Sequence, residues 1–180
     1  MRRPIAMVGV TLGTLLIPVV APVALVVAAV VDAITRTPRM RRTRVVALIA
    51  GLVFIDFVGM ILVGTIWLTS PFGWRSMRPV IQDRYQWGMT WWTNKVTNVI
   101  SWAGSLPIDR SQLDLELLAG NAIVIGRHRS LLDATLPAAV LGDLGYHCLY
   151  VLKDDLQWDI NIDMVGHLSL IHISEPTRPY

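Results

Sequence analysis

The sequence predicts an α/β fold with N-terminal membrane helices, and three observations carry that expectation. Two long apolar runs occupy residues 5–31 and 45–70. A short apolar run at residues 122–125 (AIVI) precedes a stretch with helical spacing, and a second run at 146–152 follows it. Strand, helix, strand in that order is a βαβ unit, which implies a parallel-rich sheet with crossover helices.

The chain has 180 residues, enough for one domain plus membrane segments. Hydrophobic residues make up 53% and charged ones 16%, a balance more apolar than that of an ordinary soluble domain. The net charge of +3 hides an asymmetry. Residues 1–100 carry eleven Lys/Arg against three Asp, whereas residues 101–180 carry five Lys/Arg against ten Asp/Glu. The basic half is also the apolar half, which points to membrane lipid with anionic headgroups and away from nucleic acid. Cys148 is the only cysteine, so a disulfide within the chain is excluded and a reducing compartment fits.

Residues 5–31 contain no charge. As a straight helix they would measure about 40 Å, more than the roughly 30 Å of bilayer hydrocarbon. Pro18 and Pro22 predict a kink or a re-entrant bend that shortens the span. A cleaved signal peptide is the competing reading, given Arg2 and Arg3, but the run is too long and a second one follows. That second run, 45–70, is interrupted by Asp56, whose carboxylate costs about 2.5–3.5 kcal/mol at mid-depth unless protonated or paired. Asp56 is therefore either a functional intramembrane acid or the mark of an element that dips in without crossing cleanly or packs Asp56 against its neighbour. Between the runs lie Arg36, Arg39, Arg41, Arg42 and Arg44, a positive-inside pattern that puts this loop on the cytoplasmic side. A full crossing by 45–70 carries the following chain to the opposite side, while a hairpin embedded from one face keeps both cytoplasmic. Residues 71–104 read as an interfacial amphipathic segment. Trp74, Trp87, Trp91, Trp92 and Trp102 alternate there with Arg75, Arg78, Arg84 and Lys95. A core helix that happens to contain tryptophan is the alternative.

Residues 105–167 form the expected α/β part. The run at 122–125 ends at Gly126, and Ser130 is placed as a helix N-cap ahead of Leu131, Leu132, Leu136 and Val140. His128 then falls in the strand-to-helix turn and Asp133 on the first helical turn. A carboxylate there can orient the imidazole, and an oriented histidine can act as a general base on a hydroxyl. The same spacing also fits a plain capping box between Ser130 and Asp133. A turn at 142–145 (GDLG) leads into the strand at 146–152, which ends at Lys153 and contains His147 and Cys148 as structural residues. His128, His147 and His167 are too widely spaced for a metal site.

With both blocks in view, the chain resembles the glycerolipid acyltransferases, in particular the branch of 1-acyl-glycerol-3-phosphate acyltransferases. The family has an H-x-x-x-x-D block at a strand end. His128, Ser130 and Asp133 match it, with Arg127 where asparagine is common. A second block has lysine after the next strand, an acidic-leucine pair and a hydrophobic stretch ending in glycine. Lys153, Asp155, Leu156 and Gly166 fit it, with Asp155 in place of the usual glutamate. The resemblance covers residues 75–167. It implies a partial acyltransferase α/β domain that moves a fatty acyl group from acyl-CoA or acyl carrier protein to a lysophospholipid hydroxyl, lysophosphatidate above all. His128 would remove the hydroxyl proton and Asp133 would hold the imidazole. Arg127, Arg129 and Lys153 are candidates for phosphate contacts, and no cofactor is implied besides the thioester donor.

The blocks that follow in this family are missing. Residues 168–178 (LSLIHISEPTR) resemble the translation of a transposase-type sequencing adapter, so the segment 168–180 is expected to be non-native and the α/β part truncated. Glu175 and Arg178 imitate a family phosphate-binding block, with Pro176 where glycine belongs, and are assigned no function. The chain as written is expected to be inactive, an active parent having the longer frame. Two other readings are the same fold acting on a different acceptor and a non-enzymatic lipid-binding membrane anchor. The underlying nucleotide read is predicted to contain the adapter string. A codon series that continues natively past Gly166 into residue 168 would refute this.

Overall fold

The computed structural model describes residues 2–70, 79–109, 123–125, 130–148, 150–152 and 172–174. Among these the architecture is helical: α1 (Arg2–Ile34), a 3₁₀ turn (Pro38–Met40), α2 (Arg41–Thr69), α3 (Pro79–Gly104) and α4 (Leu131–Asp143). Each helix packs on the one before it, giving a layered series α1, α2, α3, α4. Extended structure is limited to β1 (Tyr150–Leu152) and β2 (His172–Ser174), three residues each, paired in parallel.

The expected α/β fold is therefore corrected to an α-helical one. Residues 123–125, predicted to be a strand, are irregular, and Ile123 and Ile125 are each 92% exposed. Residues 146–148 are irregular too, so the second predicted strand shrinks to β1. The physical reason is that a four-residue apolar run specifies neither a ladder partner nor a second layer to cover it. The partner of β1 is instead His172–Ser174.

Helix α1 is continuous through Pro18 and Pro22, so the chain makes no re-entrant bend there. Thr11–Ile34 and Pro38–Thr69 are both long and apolar enough to cross a membrane. No more than 11% of the apolar window of either is buried, so neither is the core helix of a soluble bundle. Leu15, Val19, Val23 and Val30 are among the exposed side chains of α1. Burying such a residue is worth about 1.5–3 kcal/mol, a gain that water denies and hydrocarbon supplies.

The turn between α1 and α2 is closed by a buried carboxylate. Asp32 is 2% exposed. Its Oδ2 accepts the backbone N–H of Thr43 at 2.9 Å and the Thr43 hydroxyl at 3.0 Å, satisfying donors at the start of α2. Its Oδ1 faces Arg42 Nη1 at 3.3 Å. The same guanidinium nitrogen reaches the hydroxyls of Thr35 at 2.8 Å and Thr37 at 2.9 Å. Acid, arginine and threonines thus tie the end of α1 to the beginning of α2.

Helix α3 lies against α2, with Tyr85, Met89, Trp92 and Val96 meeting Ile55, Val63 and Ile66. Asp56, the acid inside the second apolar run, accepts a hydrogen bond from Trp92 Nε1 at 2.9 Å. The indole thus takes up part of the cost of placing a carboxylate in that apolar setting. Tyr85 is fully buried, and burial pushes its pKa up; the Ser70 hydroxyl nearby opposes this without reaching hydrogen-bond geometry.

Replacing Asp32 with Ala is predicted to destabilise the hairpin by about 1–3 kcal/mol, because it leaves the Thr43 amide at the start of α2 without its acceptor. Asp32→Asn should lose less. Equilibrium unfolding in micelles measures this, and unchanged stability in Asp32→Ala would show that the carboxylate does not close the turn.

Candidate functional site

The candidate site starts at the N-terminus of α4. Ser130 has an extended backbone (φ −146°, ψ 164°) and caps the helix. Its Oγ accepts the Asp133 backbone N–H at 3.3 Å, and the Asp133 carboxylate accepts the Ser130 backbone N–H through Oδ2 at 3.0 Å. This is a reciprocal capping box, one of the two arrangements the spacing allowed. The acid also sits where the positive end of the helix dipole favours it. His128, Arg127, Arg129 and Lys153 lie outside the described residues. Of the predicted site, the described part is thus Asp133, in a fixed orientation. The cap uses Oδ2, and a carboxylate has capacity for about four hydrogen bonds, so capping and orienting an imidazole are compatible.

Helix α4 is held in place by a polar seam that sequence reasoning missed. Thr97 and Thr135 share a buried hydroxyl pair at 3.0 Å, and Asn94 donates to Asp143 at 2.7 Å. Gln86 Nε2 donates to the Tyr146 carbonyl at 3.3 Å. Between these, Gly142 lies so close to Thr90 that a Cβ would fall 2.3 Å from its Oγ1. Gln86, Thr90, Asn94 and Thr97 recur at helical spacing on α3, a polar stripe that could have revealed a second partner helix. Beyond the helix, His147 Nε2 stands 3.4 Å from Asp83 Oδ1, with both side chains exposed. The sequence placed His147 and Cys148 within a strand; both are in the irregular segment before it.

These contacts make α4 antiparallel to α3. Trp102 lies as many residues beyond Thr97 as Ser130 lies before Thr135, so the start of α4 is level with Trp102 along the helix axis. Trp102 in turn stacks on the Arg44 guanidinium, 5.5 Å from the ring centroid, and Arg44 also hydrogen-bonds Ser105. The capping box and the arginine end of the hairpin therefore share one end of the helical layers. Among the described residues no group of His, Cys, Asp or Glu is arranged to hold a metal ion. No family model, curated protein or solved structure matches the chain.

Gly142→Ala is predicted to cost about 1–3 kcal/mol by forcing α4 away from α3. Pairing it with Thr90→Ala should recover part of that loss. Thermal unfolding of the two variants is the check, and an unaffected single variant would mean that the helices are not packed this closely.

Proposed function

We propose that this chain belongs to a membrane-bound acyltransferase that esterifies a lysophospholipid hydroxyl, with His128 as general base and Asp133 as the group that orients it. The donor is a fatty acyl thioester, acyl-CoA or acyl carrier protein, and the preferred acceptor is lysophosphatidate. The proton leaves the hydroxyl for the imidazole as oxygen attacks the thioester carbonyl, and thiolate is expelled. Arg127, Arg129 and Lys153 are assigned to the acceptor phosphate.

The observation that carries this reading is the level of the α4 N-terminus. A base acting on a lipid headgroup has to work at the bilayer surface. Asp133 is pinned at the same end of the helices as Arg44 and Trp102, side chains suited to headgroup depth. The positive-inside rule then puts the site on the cytoplasmic face. Two helices apolar enough to cross a membrane supply the anchor. The non-enzymatic anchor is the second reading, favoured by the same arginines and tryptophan.

The test is acyl transfer to lysophosphatidate by the 180-residue chain and by the native frame extended past Gly166. Transfer is expected in the extended frame and should fall about 10²–10⁴-fold in His128→Ala. Asp133→Asn separates capping from chemistry: it retains an acceptor for the Ser130 amide but loses the charge, so turnover should fall while helicity holds. An extended frame without transfer, or with turnover indifferent to His128, would leave the anchor reading.

A further inference from the structure

We infer that the arginine end of the α1–α2 hairpin is a binding surface for the phosphates of anionic membrane lipid. This rests on the reading that α1 and α2 sit in a bilayer, and it is independent of the acyl-transfer chemistry.

The stretch 36–44 (RTPRMRRTR) holds five arginines and no acid. The carboxylate that reaches it, Asp32, is committed to Arg42 and to the start of α2. Arg42 is further occupied by Thr35 and Thr37, so it serves the turn. Arg36, Arg39 and Arg41 are different. All three are exposed, and none has a side-chain hydrogen bond or ion pair among the described residues. Their charge is left for something outside the fold.

The backbone sharpens the point. Arg36 (φ 48°), Arg39 (φ 56°) and Met40 (φ 49°) adopt left-handed conformations that favour glycine. A turn needing only to reverse the chain would be met more easily by glycine at these positions. Two of the three carry guanidinium groups instead, and the adjoining Thr35–Thr37 and Asp32–Arg42 bonds hold the strained loop in place. Beside the loop, half-exposed Trp102 stacks on Arg44, pairing an amphipathic ring with a cation as headgroup depth favours. Planar guanidinium forks match phosphate oxygens in charge and geometry. Anionic lipid is the phosphate source that fits, because the loop caps two helices whose remaining surface is apolar.

The full chain in phosphatidylcholine nanodiscs, doped with brominated phosphatidylglycerol or with brominated phosphatidylcholine, provides the test through tryptophan quenching. Stronger quenching by the anionic lipid is expected. The amount of it needed for half-maximal effect should rise about fivefold per arginine in R36Q, R39Q and R41Q combinations. The triple Lys variant should retain the preference, which separates lost charge from lost fold. Equal quenching by both lipids overturns the inference, as does a preference indifferent to the three glutamines. A preference erased by inorganic phosphate overturns the assignment to a bilayer. No quenching by either lipid overturns the membrane reading itself while leaving the transfer assay to be judged separately.

Discussion

The carboxylate of Asp32 is the interaction on which the rest of the assembly depends. A helix start leaves backbone N–H groups without intrahelical acceptors, and a buried carboxylate needs donors. Asp32 meets both needs at once by accepting the Thr43 amide and hydroxyl. Because donor and acceptor lie on different helices, satisfying them fixes the angle at which α2 leaves α1. Arg42 then neutralises the charge without leaving solvent, since its side chain is about half exposed while that of Asp32 is fully buried. Helix α3 is stacked on the surface of α2 that this closure defines, and α4 is stacked in turn on α3.

Helix α3 extends the stack by dividing its surface between two kinds of partner. Gly88, Trp92, Val96 and Val99 face α2, where Gly88 approaches Ile66 and Val99 approaches Gly51. Thr90, Asn94 and Thr97, offset by roughly half a turn, face α4. The first interface is mostly apolar, with the Asp56–Trp92 bond and the Arg44–Trp102 stack as its polar contacts, and the second carries paired hydroxyls, an amide–carboxylate bond and a glycine. An apolar contact is tolerant of sliding, whereas paired hydroxyls and a glycine notch are not. The register of α4, and with it the height of Asp133, is consequently set by the polar side of α3.

What the sequence revealed and what it concealed divide along the same line. Hydrophobic runs at 5–31 and 45–70 are readable because composition alone marks a helix whose faces are all apolar. Ser130 is readable as an N-cap because the box is completed within three residues. Asp56 was visible as an anomaly, but its partner Trp92 lies on another helix and no local pattern points to it. Asp32 passed unnoticed for a related reason: its acceptor role exists only once the turn brings Thr43 beneath it. The strand expected at 122–125 failed in the opposite direction. Its apolar content suits a layer, but strand structure is a property of pairing, and Ile123 and Ile125 are exposed with nothing described beside them in a ladder.

The length of α3 links this packing to the proposed chemistry. Helix α2 has 29 residues and α3 has 26, and they run antiparallel, so α3 retraces nearly the whole of α2 before it ends at Gly104. The chain thereby returns to the arginine end of the hairpin, and α4 starts its own descent from that level. Had α3 been two turns shorter, the α4 N-terminus would lie about 11 Å further from Arg44 along the axis. Such a displacement is comparable to a third of the hydrocarbon thickness and would remove a base from the depth of lipid hydroxyls. Under the proposed chemistry, a general base for a headgroup would impose a length on α3, a helix that supplies none of the proposed catalytic residues. The polar stripe of α3 is how that length is transmitted to Asp133.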